Sequence, residues 1–155
     1  GSFGATVALE LTKLNHDVIG IDTIKRNVES LADRITHAVI ADATDEHVLE
    51  ELNIQNCDAV VVAIGEDIEA SILCVLNLKN LGVEKILVKA KTKAHHTILS
   101  HLNVSKIIHP EEDFHVCSHH ICHFHPEKGR RASSLGLRHA FPPELFLYPE
   151  FYKSL

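Results

Sequence analysis

Two glycines and an aspartate near the start of the chain have the types and spacing of a dinucleotide-binding motif. Gly1 and Gly4 are spaced like the last two glycines of G-x-G-x-x-G. An amphipathic helix pattern and a short apolar run follow them, and the run ends in Asp22. The glycines would let the backbone approach a pyrophosphate, and the helix N-terminus would offer N–H groups to it. Asp22 would accept hydrogen bonds from ribose hydroxyls, so this stretch predicts nucleotide binding.

Asp22, Asp42 and Gly65 each stand at the end of a predicted parallel strand. Each aspartate also has a simpler explanation, because Asp is a common N-cap of the helix that follows a strand. The carboxyl ends of parallel strands meet at one edge of a sheet, where open α/β sheets bind ligands. The convergence of all three residues at that edge favours a binding site over separate caps.

The elements that would position these residues form a regular alternation. Apolar runs predict strands, and runs with helical spacing separate them. The predicted strands are Val18–Ile21, Ala38–Ala41, Asp58–Ile64, Ile86–Val88 and Val104–Ile108. The predicted helices are about Ala5–Asn15, Lys25–Ile35, Asp45–Leu52 (with Thr44 as its N-cap), Asp67–Leu81 and Ala94–Leu102.

This alternation predicts an α/β fold, a Rossmann-like doubly wound parallel sheet. In the usual strand order 3-2-1-4-5-6 the first strand is central, and no strand precedes Gly1 here. We therefore expect a sheet that lacks its first strand and exposes two apolar strand edges.

Composition and charge exclude several classes of function. The net charge of −6 gives no reason to expect general nucleic-acid binding, and no apolar run is long enough to span a bilayer. Four cysteines do not make a disulfide framework in a chain of 155 residues, and a reducing cytoplasm suits them. No Ser/His/Asp or Cys/His arrangement for catalysis is evident, so we predict that the protein is not an enzyme. A fragment of a small NAD(P)-dependent oxidoreductase is the alternative, and His95 and His96 are interpreted as exposed residues at a helix start.

The pattern changes after residue 113. We interpret residues 1–113 as a nucleotide-binding domain and residues 114–155 as an irregular tail, which is either an accessory segment or a product of a shifted reading frame. The tail contains zinc-ligand types at Cys117, His119, His120, Cys122, His123 and His125. Their crowding into nine residues fits no standard zinc finger, so adventitious metal binding is the favoured interpretation. The acidic run Glu111–Asp113 is either a solvated turn or a hard-cation site.

Several of these stretches together closely resemble the RCK (TrkA-N, KTN) domain, and most of all the cytoplasmic subunit of Ktr-type potassium uptake. The stretches that carry the resemblance are Gly1-Ser2-Phe3-Gly4, Asp22, Ala41-Asp42-Ala43-Thr44, Val61–Gly65 and Ile107–Glu111. The resemblance implies a cytoplasmic regulatory subunit that binds ATP, ADP or NAD(H). It also implies a homodimer within an octameric ring, attached to the inner face of the plasma membrane through an integral-membrane potassium translocator.

The resemblance also implies roles for single residues. Gly1 and Gly4 would face the nucleotide phosphates, and Ser2 and Phe3 between them are also candidates for nucleotide binding. Many Ktr subunits carry an arginine where Ser2 stands. Asp22 would hold the ribose, and Asp42 with Ala43 would lie by the adenine. Gly65, which ends the predicted strand Asp58–Ile64, is a further candidate for cofactor binding. Glu111 would bind a divalent cation, Mg²⁺ or Ca²⁺, near the nucleotide.

Overall fold

The computed structural model describes residues 2–110 and 145–147, and these residues form one parallel sheet between two layers of helices. The helices are α1 (Ser2–Lys13), α2 (Lys25–Leu31), α3 (Glu46–Glu51), α4 (Ile68–Asn80) and α5 (Lys93–His101), with a short 3₁₀ helix at Ile54–Asn56. The strands are β1 (Ile19–Asp22), β2 (His37–Ile40), β3 (Val60–Val62), β4 (Ile86–Lys89), β5 (Lys106–Ile108) and β6 (Leu145–Leu147).

The strand order is β2-β1-β6-β3-β4-β5, and every neighbouring pair is parallel. The predicted doubly wound parallel sheet is thus confirmed. Its centre differs from the expectation, because β6 occupies the central position and the edges of β1 and β3 are paired with it. Three residues of the tail that was expected to be irregular are therefore part of the sheet. The reason is that an open central gap would leave two rows of backbone N–H and C=O groups unpaired.

The sheet is covered on both faces, as β3 shows residue by residue. Val60 and Val62 belong to a core cluster with residues of α3, α4 and α5. Val61 belongs to a second cluster with residues of α1 and α2. All three valines are buried, which explains why the strand is a continuous apolar run rather than an alternating one.

Short polar signals fix where the helices begin and end. Asp45, Asp67 and Thr92 cap α3, α4 and α5, each accepting a hydrogen bond from a backbone N–H of the first turn. Thr44, which was predicted to cap α3, instead donates its hydroxyl to Asp42, and the cap is one residue later. Gly82 follows α4 with φ +79°, a left-handed conformation that glycine adopts without strain.

In the part of the chain that the structure describes, we find no helix with the length and apolar character needed to cross a membrane.

Candidate functional site

A cleft of about 630 Å³ lies at the edge of the sheet where β1, β2 and β3 end. The loops that follow these three strands line it. Its lining residues are Thr23, Ile24, Ala41, Asp42, Ala43, Thr44, Ile64, Glu66, Asp67, Ile68 and Ala70. This is the ligand-binding edge of a doubly wound sheet, so the position expected from the sequence is where the cavity lies.

Asp42 presents a carboxylate in this cleft. Its Oδ1 atom accepts hydrogen bonds from the backbone N–H of Thr44 at 2.9 Å and from the Thr44 hydroxyl at 2.7 Å. These two bonds fix the side chain, which is exposed. We find no bond from another described residue to Oδ2, so this oxygen is available to accept hydrogen bonds from a ligand.

Helix α4 fixes the position of the loop that carries Asp42. Asn77, a buried residue of that helix, donates its side-chain N–H to the carbonyl oxygen of Thr44 at 2.7 Å. Ala43 is itself buried and packs into the core cluster on this face of the sheet. The loop after β2 therefore has a fixed position before any ligand binds.

Asp22 is 3% exposed and shapes the turn after β1. Its Oδ1 accepts the backbone N–H of Ile24 at 2.8 Å, and its Oδ2 accepts the side-chain N–H of Asn27 at 2.9 Å. The simpler explanation for this aspartate is thus partly correct, because the carboxylate organises the start of α2. Asp22 precedes the lining residues Thr23 and Ile24 without lining the cleft itself.

Gly65 lies between the lining residues Ile64 and Glu66. The side chain of Lys89, from β4, approaches it closely. A Cβ atom at this position would stand 2.8 Å from the Nζ atom of Lys89. Glycine therefore keeps space at the end of β3 for a basic side chain from β4.

The start of the chain differs in detail from the predicted glycine turn. Helix α1 begins at Ser2 rather than near Ala5, so Gly4 lies within its first turn. The Phe3 side chain is 6% exposed and belongs to the core cluster under α1, so only its backbone remains to meet a ligand. Gly1 and Glu111 lie outside the described residues, and only the backbone of Ser2 is described.

A contact between the loops that follow β3 and β4 was not predicted. The Nζ atom of Lys91 donates to the backbone carbonyl and to the carboxylate of Glu66, both at 3.1 Å. The backbone N–H of Lys91 donates to Nδ1 of His95 at 3.2 Å. Lys91 and Glu66 are 25 residues apart in the sequence. No short sequence motif predicts a contact over that separation.

His95 is buried, so its interpretation as an exposed residue was wrong. Burial lowers the pKa of its imidazole below the usual value, because charge is costly without water. Its Nδ1 accepts the Lys91 N–H, which requires the neutral ring. Cys74 is fully buried on α4, and burial together with the nearby Asp42 charge raises the pKa of its thiol. Neither residue adds a nucleophile or a charged group to the cleft.

The negative charge of the lining favours the hydrogen-bond donors of a ligand over its anionic groups. Asp42, Glu66 and Asp67 all carry carboxylates at the cleft, and Glu66 is paired with Lys91. An anionic phosphate is repelled by such a lining, whereas hydroxyl and amino groups can donate to it. The described residues contain no group of three or more His, Cys, Asp or Glu side chains placed to hold a metal ion.

Comparison with known proteins places the chain in a family. A family model described as the TrkA-N domain matches residues 1–110. The chain belongs to the TrkA-N domain family. The TrkA-N chain is 43% identical over 116 residues to Ktr system potassium uptake protein A of Bacillus subtilis, covering 75% of this chain and 52% of that protein. It is 44% identical over 113 residues to Ktr system potassium uptake protein C of the same organism, covering 73% and 51%. The chain thus spans about half the length of these curated relatives.

Two solved structures share the TrkA-N fold at low sequence identity. One is the NAD(P)-binding domain of an exopolyphosphatase-related protein from Archaeoglobus fulgidus, with a TM-score of 0.65, 20% identity, and coverage of 79% of this chain and 92% of that one. The other is the TrkA-N domain of the inner membrane protein ybaL from Escherichia coli, with a TM-score of 0.62, 15% identity, and coverage of 78% and 90%. At these identities the likeness establishes the fold.

Replacing Asn77 by Asp tests whether this residue holds the cleft loop. The substitution keeps the shape but puts an acceptor against the Thr44 carbonyl, so we expect unfolding to become easier by about 1–3 kcal/mol. Urea unfolding measures the loss. The control is Asn80→Asp, which adds the same charge to the exposed end of the same helix and should cost clearly less. Equal losses in the two variants would contradict the positioning role.

The buried His95 predicts a pH dependence of stability. Its folded-state pKa is lowered, so below about pH 6.5 the unfolded chain binds a proton there that the folded chain does not. The free energy of unfolding should therefore fall as the pH drops from 7.5 to 5.5. In His95→Asn, whose side-chain oxygen can still accept the Lys91 N–H, the fall should be shallower. The exposed control His101→Asn should keep the wild-type slope, and a wild-type slope in His95→Asn would refute the assignment.

Proposed function

We propose that this TrkA-N domain binds an adenine nucleotide (ATP, ADP or NAD(H)) and regulates a potassium-uptake system without catalysing a reaction. The observation that carries the proposal is the acid-lined cleft of about 630 Å³ at the carboxyl ends of β1, β2 and β3. The names of the curated relatives, which are potassium uptake proteins, supply the physiological context.

The lining favours one orientation of the nucleotide. Ribose hydroxyls can donate to Asp42, and the adenine fits beside Ala43 and Ile64. Asp22, next to the lining residue Thr23, is assigned to the ribose by the resemblance to the family. The phosphates then extend away from these carboxylates, towards the N-terminus of α1. That helix runs antiparallel to the strands, so its first turn lies at the same edge of the sheet. Its positive dipole end and backbone N–H groups suit an anion, and this is the role proposed for Gly1, Ser2, Phe3 and Gly4.

The proposal includes a divalent cation beside the phosphates. Mg²⁺ and Ca²⁺ prefer carboxylate oxygens and commonly bridge protein acids to phosphate groups. Glu111 is the acid we assign to this cation by the resemblance of the Ile107–Glu111 stretch. Gly65 is assigned a spacing role at the end of β3, since a larger residue would meet Lys89.

Regulation in this proposal works by differential binding. A nucleotide that favours one arrangement of a homodimer shifts the octameric ring, and the ring acts on a membrane potassium translocator at the cytoplasmic face. The shift is no larger than the difference in the affinities of the nucleotide for the two arrangements. Equal affinities of ATP and ADP for both arrangements would contradict this mechanism. Sustained change of nicotinamide absorbance with a candidate substrate would instead favour the oxidoreductase alternative.

Replacing Asp22 by Asn tests the nucleotide site. A hydrogen bond to a charged group is worth about 1.5–3 kcal/mol, so the affinity should fall about 10- to 100-fold. Isothermal titration calorimetry with ATP, ADP and NAD measures it, and urea unfolding verifies that the variant is folded. The control Asp33→Asn removes the same charge at an exposed position between α2 and β2, at the opposite edge of the sheet. If the two variants bind equally well, the ribose role of Asp22 is wrong. If the wild-type protein binds none of the three nucleotides, the proposed function fails.

The surface of α4 gives a test of the homodimer. Leu73 and Leu76 lie one turn apart on this helix and are 42% and 41% exposed, an apolar surface suited to a second copy. We expect the double variant Leu73→Glu, Leu76→Glu to sediment as a monomer at concentrations where the wild type is a dimer. The control Asn80→Glu places a charge at an exposed position of the same helix and should remain dimeric. A dimeric double variant would exclude this face as the interface.

A further inference from the structure

Two histidines outside the cleft form a bonded pair. The Nδ1 atom of His96, in helix α5, lies 2.8 Å from the Nε2 atom of His109, the residue that follows β5. The two rings are 17° from parallel, and their centres are 4.9 Å apart. Parallel rings stacked face to face keep their atoms about 3.5 Å or more apart, so the short contact means that the rings lie nearly edge to edge. The two nitrogens therefore face each other along an N–H···N hydrogen bond.

We propose that His96 and His109 form a binding site for a divalent transition-metal ion of the zinc, nickel or copper class. Imidazole nitrogen is a preferred ligand of these metals, whereas Mg²⁺ and Ca²⁺ prefer oxygen. The site therefore differs in its chemistry from the one assigned to Glu111. The inference is also independent of the nucleotide and of potassium uptake.

The spacing of the two nitrogens is close to that of two ligands on one ion. Zinc binds imidazole nitrogen at about 2.0–2.1 Å, so two such nitrogens stand about 2.9 Å apart at a right angle and about 3.3 Å apart in a tetrahedron. The pair at 2.8 Å needs only a small opening to admit the ion. The ring that donates the N–H moves this proton to its other nitrogen, which is the second tautomer of neutral imidazole. Both facing nitrogens then present lone pairs to the metal.

The backbone positions of the two ligands are fixed by contacts that do not involve a metal. Thr92 caps helix α5, and its hydroxyl oxygen accepts the backbone N–H of His95 at 3.1 Å. The N–H of Ala90 donates to the carbonyl oxygen of Ile108 at 2.9 Å, directly before His109. The ligands thus come from two separately anchored elements, which lowers the cost of ordering them around an ion.

The protein supplies two ligands and leaves the other coordination positions open. His96 and His109 are both half-buried, so an ion can reach them, and His96 is less exposed than the sequence pattern predicted. Within the described residues, no further His, Cys, Asp or Glu side chain completes a set of three. Water or a group of another molecule occupies the remaining positions, as at the open position of catalytic zinc sites. A bound ion ties α5 to the end of β5.

Zinc titration by calorimetry is the first test, in a full-length background chain. In this background the Cys and His residues of 117–125 are replaced by Ser and Asn, because they would compete for the metal. A second ligand on the same chain acts at a high effective concentration, so His96→Asn should weaken zinc binding at least about tenfold. The control His101→Asn changes an exposed histidine of the same helix and should keep the background affinity. Equal affinities of the two variants would overturn the proposal, as would displacement of the zinc by excess Mg²⁺.

Nitrogen NMR of the imidazole rings is the second test, and it needs no substitution at the site. In the background chain, the signals of His96 Nδ1 and His109 Nε2 should both shift and reach their limit at one equivalent of Zn²⁺. Amide exchange in α5 should slow at the same ratio, because the ion joins the helix to the end of β5. A shift of only one of the two nitrogens, or of neither, would refute the site and leave the pair as a structural hydrogen bond. Unchanged exchange in α5 would refute the bridge.

Discussion

The pairing of backbone N–H and C=O groups across the parallel sheet is the constraint on which the rest of the structure depends. A strand buried on both faces has no water to satisfy these groups, so each interior position of the sheet needs a neighbouring strand on both sides. Strand β3 illustrates this, because Val60–Val62 is buried throughout and bonds to β4 on one edge and to β6 on the other. Once the six strands are paired, their carboxyl ends lie at one edge, and the loops that follow must line the same cleft.

The cleft depends on contacts that position its loops from behind. Asn77 bonds the carbonyl of Thr44, Asp22 bonds the turn before α2, and Lys91 ties Glu66 to the loop after β4. None of these contacts requires a ligand, so the cleft is organised in advance. Preorganisation of this kind lowers the ordering cost of binding. The acidic lining accepts hydrogen bonds and repels anions, which is the basis of the nucleotide orientation proposed above.

The sequence predicted what local patterns encode. Val60–Val62 is a β-branched run typical of a strand covered on both faces, so it was found. Of the three residues that the edge rule named, Asp42 lines the cleft, whereas Asp22 and Gly65 are sequence neighbours of lining residues. The missed features depend on partners distant in the sequence. Three apolar residues at 145–147 have no period to detect, and their strand follows from the gap that they fill. The burial of His95 and the Lys91–Glu66 contact depend likewise on packing between elements, which neither spacing nor composition records.

Cys74 carries a consequence for following the domain in solution. Its thiol is fully buried beneath the cleft loop, and the Asp42 charge adds to burial in opposing thiolate formation. Because the thiolate is the reactive form, oxidants and alkylating reagents cannot attack this sulfur while α4 stays packed. Its modification therefore reports only those moments when the helix leaves the sheet. The rate of Cys74 modification thus measures how often the helix layer that supports the cleft opens.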